Sequence, residues 1–289
     1  MTRTFRHFAL LLAGLAAAGS AHAAPALWAA SDGDSTIYLF GTAHAVRADA
    51  KWRTPALDKA LASSKALWLE IETSDDRSAT LAVIQKLGMD PAASLATKLT
   101  PAMQAKLEAV LAQYGLPAAQ VAPMRPWLAA MTLAMLPLAK AGLDPKAGAD
   151  SALRESAKAQ GDRIEGFDTP ERQVRYLADL PEAEQIAFLE NVLDRAAGGT
   201  DLPLKIAAAW EQGDLATIDS VLNSELKAKA PSLYRRLLVE RNVRYADSIV
   251  ELLARDQDQL VAVGVGHLVG SDSIVAMLEA KGIALRRIQ

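Results

Sequence analysis

Apolar runs long enough to form strands are few in this chain, and they lie near its two ends. Residues 36–41, 66–72 and 260–264 are almost continuously apolar, and shorter runs occupy residues 163–167 and 284–288. Runs of this kind are typical of strands that are covered on both faces, as in a parallel sheet. The pattern therefore predicts a sheet whose strands come mainly from the two ends of the chain.

Helical patterns occupy most of the remaining sequence. Thr54 before Pro55 predicts a helix over residues 55–63, and Ser271 or Asp272 predicts the start of another, which Gly282 ends. Further helices are predicted over residues 78–87, 101–114, 126–138, 149–160, 170–180, 182–195, 204–212, 215–226 and 232–255. The predicted fold class is α/β, with a mostly parallel or mixed sheet and a large helical insertion at about residues 78–160 and 170–255.

The first 23 residues have the three parts of a secretory signal. Arg3 and Arg6 precede a short apolar stretch, and an A-x-A cleavage site ends at Ala23. We therefore expect residues 24–289 to form one domain that is periplasmic or secreted. No later apolar stretch reaches the ~20 residues that a membrane-spanning helix needs, so no membrane span is predicted.

Composition excludes several classes of function. The 289 residues carry 31 basic and 34 acidic side chains, a formal net charge of -3, and removal of the leader would make the chain more acidic. A nucleic-acid partner is not expected, because phosphate binding needs a basic surface. The chain has no cysteine, which excludes disulfides and thiol chemistry.

Only two histidines remain outside the predicted leader, and both occur in the same local pattern. His44 follows Gly41 and His267 follows Gly264, each as Gly-x-x-His after an apolar run. Residues just beyond the carboxyl ends of parallel strands line the ligand crevice of such folds. Imidazole is the usual acid or base near neutral pH and a common metal ligand. The sequence therefore predicts that the two histidines lie together, although each alone could be a packed loop residue.

A carboxylate near the end of the second apolar run is a third candidate. Glu70 follows apolar residues directly and would be desolvated unless it were paired or bound to a metal, whereas an exposed strand end would leave it in water. Strand alternation places Glu72 on the same face as Glu70. His44, His267 and Glu70 would suffice to bind a divalent metal with positions left open for water or substrate.

One charged residue interrupts an apolar row near the end of the helical region. The row recurs every four residues: Leu233, Leu237, Arg241, Tyr245, Ile249 and Leu253. Arg241 either extends past the apolar stripe to water or binds a carboxylate or an anionic substrate group. Asn242 could hydrogen-bond a substrate or orient a ligand, and Arg47 is a weaker candidate near His44. H-E-x-x-H, Walker-type and G-x-S-x-G motifs are absent from the sequence.

An ordered set of short motifs carries a family resemblance. The motifs are Gly41-Thr42-Ala43-His44, Trp68-Leu69-Glu70, Arg125-Pro126-Trp127, Gly148-Ala149-Asp150, Gly166-Phe167-Asp168 leading to Gln173, Trp210-Glu211-Gln212-Gly213-Asp214, Glu240-Arg241-Asn242 and Gly264-Val265-Gly266-His267-Leu268-Val269-Gly270. Together they resemble the TraB/GumN family, which includes the Tiki-type metalloproteases. One departure is Asp168, where members of the family often carry glutamate.

The resemblance implies an α/β fold shared with erythromycin-esterase-like and ChaN-like proteins. It implies that the two Gly-x-x-His motifs, a glutamate and an arginine meet in one cleft. For the Tiki branch it also implies metal-dependent hydrolysis of peptide bonds. GumN-like members are associated with polysaccharide gene clusters, and their chemistry is not clearly implied.

The leading hypothesis is a metal-dependent hydrolase, most plausibly a peptidase acting on a peptide or protein substrate. His44, His267 and Glu70 would bind a divalent cation (Mn, Co or Zn), and Glu70, Arg241 and Asn242 would serve catalysis, with Arg241 stabilising an oxyanion or a substrate carboxylate. A second hypothesis is a metal-free esterase with histidine as general base. A third is an envelope or exopolysaccharide-associated protein that binds metal, haem or a glycan without turnover.

Overall fold

The computed structural model describes residues 24–71 and 78–289. The predicted leader, residues 1–23, lies outside the described residues, and so does Glu72. Within the described ranges, no helix combines the length and the apolar character that are needed to cross a membrane.

Six strands form one mixed sheet, which confirms the predicted fold class. The strands are Leu27–Ser31 (β1), Thr36–Thr42 (β2), Ala66–Ile71 (β3), Arg163–Asp168 (β4), Gln259–Gly264 (β5) and Arg286–Arg287 (β6). Their order across the sheet is β4-β3-β5-β2-β1-β6, with β4, β3, β5 and β2 parallel and β1 antiparallel to both of its neighbours. The parallel strands therefore end at one common edge.

Two parts of the sheet differ from the sequence prediction. β1 was not predicted, because its five residues directly follow the leader and offer only a short apolar pattern. The last strand is only Arg286–Arg287 rather than residues 284–288, and both of its residues are exposed. It pairs with β1 at the outer edge of the sheet, so it has a neighbouring strand on one side only.

Helices fill the segments between the strands. They are Pro55–Ser63 (α1), Ser78–Gly88 (α2), Pro101–Tyr114 (α3), Ala118–Val121 (α4), Pro126–Lys140 (α5), Ala149–Gln160 (α6), Pro170–Ala178 (α7), Glu182–Ala197 (α8), Asp201–Gln212 (α9), Leu215–Ile218 (α10), Glu225–Lys229 (α11), Pro231–Tyr234 (α12), Glu240–Leu253 (α13) and Ile274–Ala280 (α14). Thr54 caps α1 as predicted, by accepting from the Leu57 amide. The cap of α14 is Ser273 rather than Ser271 or Asp272.

Two helices that were predicted as continuous are interrupted. The segments Asp219–Ser224 and Arg235–Val239 are π-helical, so the predicted helices over residues 215–226 and 232–255 each break into shorter pieces. Residues four apart drift slowly around an α-helix, because one turn contains 3.6 residues. A π turn contains more residues than an α turn and therefore counters this drift. The interruption before α13 thus keeps Leu233 and Arg241 buried on the same side.

The sheet is buried on both faces, as its apolar strands predict. One face packs against α1, α6 and α9 through a cluster that includes Phe40, Leu67 and Trp210. The other packs against α13 and α14 through a cluster that includes Leu39 and Val261. A third cluster joins α3, α5 and α8 away from the sheet. The sheet is therefore the rigid element on which the loops at its carboxyl edge are built.

Trp210 ties α9 to the end of β2, and its replacement tests how far this contact stabilises the fold. Its indole nitrogen donates to the carbonyl oxygen of Gly41 at 2.8 Å inside the core. We expect Trp210→Phe to lower the free energy of unfolding by about 1–3 kcal/mol, because a buried carbonyl loses its donor. Urea denaturation measures the change, and Trp52→Phe in the same cluster is the matched control. Equal losses in the two variants would contradict a specific role for this hydrogen bond.

Candidate functional site

Polar side chains gather where the parallel strands end. His44 follows β2, Glu70 lies near the end of β3, Asp168 ends β4 and His267 follows β5. The topology brings these residues to one edge of the sheet although they are distant in sequence. The candidate site is therefore built on strand exits, the usual place for ligands in folds of this kind.

Glu70 is the centre of the site and is buried. Its Oε1 accepts the backbone N–H of Gly264 at 2.7 Å, and its Oε2 accepts Nη2 of Arg241 at 2.6 Å. Burial opposes ionisation of this carboxyl, but the neighbouring His267, Arg241 and His44 outweigh it and hold the pKa of Glu70 well below its usual range. Glu70 is therefore a buried carboxylate ion at neutral pH.

His44 is oriented from behind by an aspartate. Its Nδ1 lies 2.8 Å from Oδ2 of Asp150, whose Oδ1 accepts the hydroxyl of Thr42 at 2.7 Å. The Asp150 charge is the main cause that raises the pKa of His44 to about 9, although 67% of the side-chain surface is exposed. Nε2 of His44 faces the other way and lies 3.7 Å from Oε1 of Glu70.

His267 is buried and is held by an amide instead. Its Nδ1 lies 2.5 Å from Oδ1 of Asn242, while Nδ2 of Asn242 donates to the carbonyl of Asp272 at 2.7 Å. Because the amide oxygen can only accept, this network assigns the proton of neutral His267 to Nδ1. Burial lowers the pKa of His267 against the pull of Glu70. Its Nε2 therefore points a lone pair at Oε2 of Glu70, 3.7 Å away.

A second buried carboxylate stabilises the arginine. Asp168 accepts the hydroxyl of Tyr245 at 2.7 Å and that of Tyr176 at 2.8 Å, and it lies 3.5 Å from Nε of Arg241 and 3.3 Å from Arg244. Arg241 also donates to the Tyr245 hydroxyl. The guanidinium is thus fixed between two carboxylates, and it contacts Glu70 from behind.

Sequence reasoning missed two residues that orient the others. Asp150 lies in the first turn of α6 and holds His44, and Asp168 stabilises Arg241, but both were noted only within family motifs. The strand-exit rule that identified the histidines also applies to Asp168, because it ends a predicted strand. No comparable signal marks Asp150, since its role depends on where α6 packs against the β2 exit.

Two candidates lie elsewhere or act indirectly. Arg47 pairs with Glu211 and Asp49, each at 3.4 Å, and does not reach the histidine pair. Asn242 contacts the rear nitrogen of His267, so it positions that ring rather than facing the open space.

Tyr176 and Tyr245 both donate to Asp168, and burial with this contact raises the pKa of Tyr176 to about 12. Neither phenol is thereby prepared as a haem ligand.

Gly264 leaves open the space between Glu70 and His44. A Cβ at this position would lie 2.9 Å from Oε1 of Glu70 and 3.2 Å from Nε2 of His44. The backbone of Gly264 has φ -49 and ψ 133, which other residues also adopt. The glycine is therefore required for space beside the carboxylate rather than for backbone freedom.

The fit to a metal ion can be judged from these contacts. Among the described residues, no group of three His, Cys, Asp or Glu side chains converges as a complete metal site. Even so, two imidazole Nε2 atoms face the two oxygens of one carboxylate at 3.7 Å, and each imidazole has its Nδ1 held by a partner. Two ligand atoms that each lie ~2.0–2.2 Å from one zinc ion are separated by slightly less than the 3.7 Å observed here. The donor types and their outer partners suit a divalent cation.

A wide cavity opens over the site. Its volume is about 1070 Å³, and its wall includes His44, Glu70, Arg241, Gly264 and His267. The remainder is largely apolar and comes mainly from helices, among them α2, α5, α7, α8 and α9. A ligand of considerable size can therefore reach the histidine pair.

Comparison with known proteins supports the resemblance drawn from the motifs. A sequence profile described as the TraB/PrgY/gumN family matches residues 26–287. A protein of Amphimedon queenslandica described as "Metalloprotease TIKI homolog" is 24% identical over 163 residues, which are 48% of this chain and 32% of that protein. The chain thus spans about a third of the length of this curated relative. No solved structure matches the chain significantly.

The His44–Asp150 contact predicts an unusual titration in protein that has been treated with a chelator. The His44 pKa lies above its ordinary value of 6.5, so the ring stays protonated until the pH rises through about 9. Asp150→Asn removes the main cause, and we expect the His44 pKa to fall towards 6.5. Titration of the histidine ring protons by NMR measures this, with Ser151→Ala as the neighbouring control. A wild-type His44 that titrates at its ordinary value would contradict the assignment.

Proposed function

The chain belongs to the TraB/PrgY/gumN family, and on that premise we propose that it is a metal-dependent hydrolase whose active site is the cluster of His44, His267 and Glu70. One observation carries the proposal. Two histidines present Nε2 to the same buried carboxylate, with space left beside it by Gly264. With His44 deprotonated, these three groups would offer two imidazole nitrogens and a carboxylate to one cation.

The proposed ligands are already oriented before a cation binds. Asp150 and Asn242 hold the Nδ1 atoms, which fixes each ring and directs its Nε2 to Glu70. Bound Mn²⁺, Co²⁺ or Zn²⁺ would lower the pKa of a water molecule towards neutrality and polarise a carbonyl. Such an ion would displace the proton that the Asp150 charge keeps on His44 up to about pH 9.

Arg241 acts through Glu70 in this proposal. Its guanidinium is buried and bound to Glu70, Tyr245 and the carbonyl of Leu237, so its donors are engaged within the protein. It therefore keeps Glu70 ionised and fixed, rather than stabilising an oxyanion directly. Asn242 has the corresponding role for His267.

A peptide substrate is the finer part of the proposal. It is supported by the similarity to a protein described as a metalloprotease homologue, at 24% identity over part of both chains. The A-x-A signal ending at Ala23 supports action in the periplasm or outside the cell.

A metal-free hydrolase is a second candidate, and two observations favour it. No complete three-residue metal site occurs among the described residues, and the contact between His44 and Asp150 resembles the base and orienting acid of other hydrolases. His44 would then act as the general base at alkaline pH, because the Asp150 charge keeps it protonated until the pH rises through about 9. Sensitivity to a chelator separates the two candidates.

Loss of either histidine should remove metal and turnover together. We expect His44→Ala and His267→Ala to lower metal content, measured by elemental analysis of the purified protein, and to abolish hydrolysis of a peptide library. Asn242→Ala should weaken metal binding by about 10–100-fold, because it releases His267. Turnover that survives exhaustive chelation but is lost in His44→Ala would support the metal-free esterase. Binding without hydrolysis under any divalent ion would indicate a binding protein.

The space beside Glu70 provides a matched pair of variants. Gly264→Ala would place a methyl group 2.9 Å from Glu70 and 3.2 Å from His44, whereas Gly266→Ala meets nothing closer than Asn223 at 3.4 Å. We expect Gly264→Ala to reduce kcat/KM at least a hundredfold, which corresponds to ~2.7 kcal/mol, with the fold retained. Gly266→Ala should stay near wild type. Equal activity of the two variants in the same assay would contradict the proposed site.

A further inference from the structure

Helix α5 is apolar on two opposite faces, and one of them is covered only in part. Ala129, Ala130 and Leu133 are buried against α3 and α8. Met131 and Met135 lie on the other face with 43% and 38% of their surface exposed. A helix that is apolar all round is expected to be covered on every side. The second face of α5 therefore needs an apolar occupant.

That face forms one wall of the cavity above the histidine pair. Large apolar side chains from several helices form most of this wall, among them Leu81, Ile84, Met131, Met135, Leu177 and Phe188. Thr80, Arg154, Gln173, Asn191 and Arg195 add a few polar positions to it. The cavity thus combines a long apolar wall with a cluster of ionisable groups at the sheet edge.

A second, smaller cavity also borders His44. Its volume is about 290 Å³, and His44, Pro145, Lys146, Asp150 and Ser151 line it. His44 borders both cavities. A scissile bond beside His44 would therefore have an apolar part on one side and a polar part, near the Lys146 ammonium, on the other.

We propose that the substrate is a long-chain N-acyl amide, such as an N-acylated amino acid or peptide. The acyl chain would occupy the large apolar cavity, and the polar amine part would lie in the small cavity with its carboxylate near Lys146. The inference rests on the proposed hydrolase function and names its substrate class. An aliphatic chain covers the exposed face of α5, and an amide carbonyl at its end reaches the site.

The reaction is a balanced hydrolysis. Water adds its oxygen to the acyl carbon, the carbon–nitrogen bond breaks, and the products are a fatty acid and an amine. One proton of the water goes to the leaving nitrogen and the other leaves with the new carboxyl group. No oxidant or second substrate is needed.

Binding to the chelated wild-type protein tests the cavity without turnover. We would titrate N-butanoyl-, N-octanoyl- and N-dodecanoylglycine by calorimetry below their micelle concentrations. Each methylene that enters an apolar site contributes up to about three- to fourfold in affinity, so we expect at least a tenfold tightening across the series. Absence of any dependence on chain length would overturn the proposal.

Variants of the wall locate the acyl chain. Met131→Lys, and Leu81→Lys in α2, should weaken the binding of N-dodecanoylglycine at least tenfold and leave the binding of N-butanoylglycine unchanged. Val250→Lys makes a similar change at an exposed apolar residue of α13 outside the cavity and is the control. Lys146→Ala should weaken the binding of N-dodecanoylglycine but not that of N-dodecanoylglycinamide, which lacks the carboxylate. Melting curves establish that each variant folds.

The remaining outcomes separate this inference from the proposed function. Turnover of short acetylated peptides without preference for long chains would leave the hydrolase standing and overturn the acyl substrate. Binding that depends on chain length, with no hydrolysis under any divalent ion, would support the acyl site and refute the hydrolase. A dimer that Met131→Lys dissociates, with no acylglycine binding, would show that a second copy covers α5 and would overturn the inference.

Discussion

The burial of the Glu70 carboxylate is the constraint on which the rest of the site depends. An isolated charge inside a protein is strongly unfavourable, so it must be paired and hydrogen-bonded. The Gly264 amide supplies one donor and Arg241 supplies another, at 2.7 and 2.6 Å. Arg241 is itself buried and requires Asp168 on its far side. The burial of Glu70 thus requires hydrogen bonds and ion pairs that connect β3, β4, β5 and α13.

The same constraint explains features that local sequence patterns do not account for. The π-helical segment Arg235–Val239, before α13, places Arg241 inward at the level of β3. The π-helical segment Asp219–Ser224 places Asn223 where it donates to the carbonyls of Gly266 and Val269. Both interruptions therefore support the loop that carries His267. Such insertions often occur at functional sites, because they adjust one side chain without changing the rest of the helix.

The sheet and the helical region contribute different chemistry to the cavity. Strand exits supply the histidines and the carboxylates, and their positions are fixed by hydrogen bonds within the sheet and its loops. The helices supply an apolar wall with few polar positions. A rigid polar edge joined to an apolar chamber can hold one reactive bond while accepting a large apolar group. This division also explains why α5 tolerates two apolar faces.

The sequence by itself determined the local features of this protein. Nearly continuous apolar runs identified β2, β3 and β5, and a shorter run identified β4. Thr54 with Pro55 set the start of α1, and the scarcity of histidine singled out His44 and His267. The parallel-sheet rule then placed them with Glu70, and the four-residue row singled out Arg241. These signals are readable because they depend on neighbours within a few residues along the chain.

Only the tertiary structure decided which partners each group has. Asp150 reaches His44 from 106 residues away, and Arg241 reaches Glu70 from 171 residues away. The π-helical interruptions, the short edge strand and the cavity between the helices likewise arise from packing. Periodicity reports which face of an element is apolar, but it does not report which distant element covers that face. The pairing of buried charges is therefore decided when the chain folds, because only then does each charge lose its water.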